Sequence, residues 1–193
     1  MKKTILILSA LLLQATAISA QDFLEPSKRF IANDKDGNSR NQHDNEVVQY
    51  LFPQEWSIGY FASPSFSGQY GIFLIQDNDG PMLVYNKFKS NYSVSIRGSS
   101  KKDGNVKVSS DTVRISKEEA DRLTGIITDA INKAVKPDGL GRIVFDGTAY
   151  FFMLPDKMAK TTSPEINTNC YKLVEEFENL KKLFGYEPFM ELS

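Results

Sequence analysis

The sequence predicts an α+β domain in which an antiparallel sheet of about five to six strands packs against two amphipathic helices. Three observations predict it. A run from Thr148 to Leu154 is apolar on both strand faces, as expected for a strand covered on two sides. The segments 117–136 and 168–184 each carry an apolar stripe at three- and four-residue steps, the mark of a half-buried helix. Between residues 70 and 115, short β-rich runs separated by turn residues read as a meander.

The chain opens with Lys2 and Lys3, an apolar run, and Ala17-Ile18-Ser19-Ala20. This order, with small residues at 17 and 20, is that of a secretory signal peptide cut near Ala20-Gln21. The run is short for a membrane span, and no stable membrane anchor is expected. The mature chain is therefore expected in a periplasm or outside the cell. Removing Lys2 and Lys3 lowers the basic count from 23 to 21 against 24 acids, a net charge near −3. Such a balance offers no footprint for nucleic acid.

Residues 21–45 read as a polar, mobile N-terminal segment, and 46–193 as one domain. Within the segment, Asp34-x-Asp36-x-Asn38 follows the first half of a calcium loop. The match then fails, with Ser39 at the glycine position and Asn45 where a glutamate is required. A solvated loop is the simpler reading, with Asp34, Asp36 and Asn38 as a weak calcium candidate.

Residues 46–56 (EVVQYLFPQEW) suit either a short helix or an edge strand. The stretch 57–71 (SIGYFASPSFSGQYG) concentrates Tyr60, Phe61, Phe66 and Tyr70 among serines and glycines. In a loop these four would form a contact surface, since aromatic side chains supply area at low entropic cost. The simpler alternative is that they cover one end of the core.

Strands are expected at 70–76 and 82–88, joined through Asp77-Asn78-Asp79-Gly80. Tyr92 to Arg97 alternates like a further strand, and Val106 to Ile115 like another, with a bulge at Ser109-Ser110-Asp111. Ser116 and Glu119 make a capping box for the first helix, which Pro137-Asp138-Gly139 ends. Ile143 to Phe145 leads through Asp146-Gly147 into the central strand. Pro155-Asp156 suits a type I turn, and Lys157 to Thr162 returns. In the last helix Cys170, Leu173, Val174, Phe177, Leu180 and Phe184 form the stripe. Glu175, Glu176, Glu178, Lys181 and Lys182 fill the remainder, and Gly185 is the stop. Tyr186, Phe189 and Met190 in the tail are placed to dock back on the body.

The residue inventory restricts the chemistry. One cysteine and one histidine, Cys170 and His43, lie far apart, which disfavours zinc and a Cys-His pair. Cys170 falls on an apolar stripe and reads as a buried, inert thiol. No nucleophile elbow, phosphate loop or dinucleotide fingerprint occurs. A carboxylate pair drawn from Asp77, Asp79, Asp146 and Asp156 is the remaining route to a hydrolase of glycan or cell-wall material. All four fall at turns, where aspartate is common for conformational reasons. Asp111-Thr112-Val113 has the form of an O-glycosylation acceptor, and Asn91-Tyr92-Ser93 that of an N-glycosylation acceptor.

Phe145-Asp146-Gly147-Thr148-x-Tyr150-x-Phe152, then Ala159-Lys160-Thr161-x-Ser163-Pro164 and a leucine-bearing final helix, resembles small secreted bacterial proteins of unassigned function. Pro64-Ser65-Phe66 is similar too, whereas Thr162 stands where those proteins often carry Trp. The resemblance implies a fold and a secreted setting, and carries no functional residue. The function expected is a non-catalytic binding or interaction domain, inhibitor-like or immunity-like. No cofactor is expected, and the expected partner is a protein or a glycan.

Overall fold

A computed structural model describes residues 23–27, 47–52, 55–89, 107–136 and 147–188. Seven strands form one antiparallel sheet: β1 (Glu25–Ser27), β2 (Ile58–Pro64), β3 (Tyr70–Asp77), β4 (Gly80–Phe88), β5 (Val108–Arg114), β6 (Thr148–Met153) and β7 (Met158–Thr162). Their order across the sheet is β1-β7-β6-β2-β3-β4-β5. The helices are α1 (Lys117–Asn132) and α2 (Asn169–Asn179), the latter continued by a 3-10 turn, Leu180–Phe184. The fold is α+β, as the sequence predicts.

Strand alternation gives the sheet two buried faces. Tyr60, Ile72, Tyr85, Tyr150 and Phe152 point to α1 and α2, where Leu123, Ile127, Val174 and Phe177 meet them. Phe61, Phe73, Val84, Phe151 and Met153 point the other way and are covered by Val47, Leu51 and Phe52. Residues 47–51 are helical, which decides between the two readings of that stretch. This cover lies close to the backbone. A Cβ at Gly71 would come within 2.6 Å of the Phe52 ring, and one at Gly59 within 3.0 Å. The two glycines therefore make the slot in which Phe52 sits.

Local chemistry fixes the element ends. Ser116 caps α1 by accepting a 3.2 Å hydrogen bond from the Glu119 amide. Thr168 does the same for α2 with the Tyr171 amide, at 3.1 Å. Gly185 closes the 3-10 turn at φ +80°, a left-handed position that glycine adopts without strain. The β6–β7 hairpin turns at 155–156, and Asp77 pairs with Gly80 across the β3–β4 turn.

Four expectations need correction. First, α1 stops at Asn132 rather than 136. Pro137 cannot continue a helix and its ring would strike the carbonyl four residues back. The chain instead turns so that the Val135 amide donates to the Leu24 carbonyl at 2.8 Å. Second, β5 carries no bulge, for its register against β4 runs unbroken from Val108 opposite Phe88 to Arg114 opposite Met82. Third, the segment 21–45 is not wholly a mobile arm. Leu24 is buried, and Glu25–Ser27 pair with Lys160, Ala159 and Met158 of β7. Fourth, Glu178 and Lys181 do not belong to the exposed side of the last helix; both are buried. The strand at 92–97, the strand and turn at 143–146, and the calcium-like residues Asp34, Asp36 and Asn38 lie outside the described residues, as do His43, Phe189 and Met190.

Candidate functional site

The aromatic residues of 57–71 divide. Tyr60 and Phe61 belong to β2 and Tyr70 opens β3, and all three are buried, at 0, 2 and 3% exposure. They are core, because the strand begins at Ile58 and alternates its aromatic side chains onto the two covered faces. Phe66 alone stands out in the β2–β3 connection, at 81% exposure. The connection is braced by Ser65, whose amide and hydroxyl both donate to the Gly147 carbonyl, at 3.1 and 2.8 Å. The four residues thus do not form one contact surface.

Tyr60 and Tyr70 instead meet at a buried polar cluster. Their phenol hydroxyls donate to the same oxygen, Oε1 of Glu178, at 2.7 and 2.6 Å. The other oxygen, Oε2, accepts from Lys181 Nζ at 2.8 Å. That ammonium also lies 4.5 Å from the centre of the Tyr70 ring, a favourable cation–π placement. Helix geometry brings the acid and the lysine together, since residues three apart share a face. Burial first, and the Glu178 charge second, push both phenol pKa values well above the ordinary tyrosine value. The phenols stay protonated and donating at neutral pH.

This cluster has the composition of an active site but not the access. Glu178 is fully buried and Lys181 is 4% exposed, so no solute reaches either. Each carboxylate oxygen has a donor, as burial of a charge demands. The arrangement is a satisfied polar core. Sequence periodicity contained a signal for it. Glu178 stands four residues after Val174, and Lys181 four after Phe177, so both flank the apolar stripe.

An accessible concavity lies elsewhere on the helical side. An open groove of about 400 Å³ lies between α1 and α2 and is also lined by residues 23–24. Its walls are Ile126 and Ala130 from α1, Cys170 and Leu173 from α2, and Phe23 and Leu24. Asp129, Lys133 and Asn169 supply the polar rim, with Lys133 and Asp129 paired at 3.2 Å. Phe23 remains 51% exposed there. Cys170 is buried, as expected, and contributes to the wall at the start of α2. No local motif announces this groove, because its parts come from three distant segments.

Among the described turn carboxylates only Asp77 and Asp79 come together, on one exposed turn and both against Arg114, and Asp156 does not join them. Asp77 is held by Arg114, whose Nη2 donates to Oδ2 at 2.7 Å, and Asp79 lies 3.4 Å from the same guanidinium. Hydrogen bonding to Arg114 holds the Asp77 carboxyl below the usual carboxylate range. Asp156 is exposed on the β6–β7 turn. Three strand spacings separate the two turns, about 14 Å, against the roughly 5–9.5 Å that paired glycosidase carboxylates require. Asp146 lies outside the described residues. Among the described residues no group of three or more His, Cys, Asp or Glu side chains is placed to hold a metal ion. No family model matches the chain, and neither a curated protein nor a solved structure gives a match.

Proposed function

We propose that the mature chain is a secreted or periplasmic, non-catalytic binding domain that takes its partner in the groove between α1 and α2. The observation that carries this reading is the groove itself: concave, walled by apolar side chains, and rimmed by a few polar groups. Binding sites of small ligands and of peptide segments share that make-up, and seams between helices are a common place for them. Phe23 and Leu173 would be the main apolar contacts, with Asn169 and Lys133 giving direction. Phe66, on the β2–β3 connection, is a separate exposed apolar side chain outside the groove. The setting rests on the signal-like N-terminus. In addition, no helix among the described residues is long and apolar enough to cross a membrane.

The reading is tested with residues 21–193 carrying a tag, used to capture partners from the secreted and periplasmic fractions of the source cell, beside a glycan array. Capture or glycan binding that is lost in Phe23→Ala and Leu173→Ser, but kept in Phe66→Ala, supports the groove. A partner retained by both groove variants and lost with Phe66→Ala moves the site to the β2–β3 connection.

A further inference from the structure

The wall that α2 gives to the groove and the buried charges of the Glu178 cluster lie on one rigid element. Asn169, Cys170 and Leu173 lie within the first five residues of α2 and line the groove. Glu178 occupies its last turn, eight residues on from Cys170, about 12 Å along the axis. Between them Val174 and Phe177 sit on the sheet. The hydrophobic driving force behind this contact is non-directional and does not by itself single out one seat for the helix. Hydrogen bonds to a charge do, since two phenols from different strands and one ammonium must converge on one carboxylate. The phenols belong to β2 and β3, neighbours at the centre of the sheet, so they form a fixed reference point.

We propose that Glu178, with Lys181, Tyr60 and Tyr70, is a positioning device that seats α2 and so fixes the groove wall carried at its other end. A leucine and methionine in place of the charged pair would bury comparable surface, and buried ion pairs often give way to apolar residues without loss of stability. What apolar residues would not supply is a unique seat. The inference concerns the placement of α2, and its consequence for binding rests on the groove being the binding site.

The protein carries its own reporter. Cys170 is the only cysteine in the chain, it is 2% exposed, and it lies at the wall end of α2. Its rate of alkylation by iodoacetamide, followed across sub-denaturing urea, separates local from global opening. In the wild-type chain the rate should climb steeply with urea, because only global unfolding exposes the thiol. In Lys181→Met it should rise on the order of tenfold in water and lose most of its urea dependence. The shallow dependence is expected because α2 lifts without the sheet unfolding. Ile127→Val, which weakens the α1 packing, controls for general destabilisation and should keep the steep dependence.

Pairing Lys181→Met with Glu178→Leu removes the charged pair without leaving a lone buried charge and should keep the shallow dependence, whereas a return to the steep wild-type dependence would show that Lys181→Met reports only an unpaired charge and would overturn the proposal. Should Lys181→Met fail to fold, Tyr70→Phe tests the same point with a milder lesion. A Lys181→Met or Tyr70→Phe protein whose Cys170 still reacts only through global unfolding overturns the proposal. That result would leave the groove reading untouched, since the measurement uses no partner.

Discussion

Two successive residues of β2 show how differently the sheet's faces are built. Tyr60 turns to the helices and Phe61 to the 47–52 cover, and the same pairing recurs at Tyr150 and Phe151 of β6. The helical face buries Tyr60, Tyr70, Tyr85 and Tyr150 beside Phe152 and Phe177, whereas the aromatic side chains buried on the opposite face, Phe52, Phe61, Phe73, Phe88 and Phe151, are phenylalanines. A ring of nearly the same volume serves on both sides, so packing alone does not choose the phenol. Glu178 supplies the reason on the helical side: Tyr60 and Tyr70 are its donors. On the 47–52 face the buried Asn86 amide donates to the Leu51 carbonyl at 2.7 Å. One face therefore gains direction from a shared charge, and the other from close fit, with Phe52 set into the Gly59–Gly71 slot.

The largest expected effect tests whether the helical face is core at all. Phe177→Asp places a carboxylate among Tyr60 and Phe152, whose ring centres lie 5.4 and 5.5 Å from that of Phe177. Removing a buried Phe costs about 3–5 kcal/mol, and an unpaired buried charge adds more. Against a typical stability of about 5–15 kcal/mol, the variant should be unfolded by circular dichroism. A cooperative melt would dismiss the packing described here.

Exchanging the two rings sharpens the contrast. Tyr60→Phe deletes a hydrogen bond to a charge and should cost about 1.5–3 kcal/mol in urea unfolding. Phe61→Tyr buries a hydroxyl where the neighbours are apolar and should cost about 1–3 kcal/mol. If both exchanges prove neutral, the faces are interchangeable and the contrast fails. Gly71→Ala probes fit without polarity. The added methyl must displace the Phe52 ring, and overpacking of this order costs about 1–3 kcal/mol. A neutral Gly71→Ala would show that the cover is loosely held.

The smallest effect is spectroscopic. Tyr60 and Tyr70 keep their protons in the folded state far above the ordinary value of 10.0, while the unfolded chain ionises near it. Their contribution to stability is therefore complete below pH 10 and declines as pH rises beyond it. Tyrosinate absorbance should rise in two steps, exposed phenols first and the cluster only on alkaline unfolding. Tyr60→Phe/Tyr70→Phe should shrink the second step. A single step at ordinary pH would remove the cluster from the core.

Much of the fold was legible in residue patterns. The α1 stripe, its Ser116 cap, the β3–β4 turn and the two-faced β6 followed from local periodicity and turn chemistry. Four features were less legible, each for its own reason. β1 spans three residues, too few to show a period, and exists only through β7. The end of α1 was hidden because Lys133, Ala134 and Lys136 are good helix formers and Val135 continues the apolar stripe, and Pro137 acts backwards along the chain. Glu178 and Lys181 read as solvated because a charged residue is placed outside by default; their burial depends on phenols more than a hundred positions away. The groove has no signature in any one stretch, since Phe23, Ile126 and Leu173 meet only in the folded chain.

The strand order carries a kinetic consequence. β3, β4 and β5 pair in sequence, so residues 70–114 can close their half of the sheet as a local meander. β2 lies beside β6, with Gly59 opposite Met153, and β1 beside β7, with Glu25 opposite Lys160. Those pairings close loops of roughly a hundred residues or more, and such long-range closure slows folding. Until residues 148–162 are available, β2 presents an open edge of mostly apolar side chains, the kind of template on which chains associate wrongly. Covering that edge falls to the last quarter of the polypeptide, and truncation before Thr148 is expected to yield a sticky chain instead of a smaller domain.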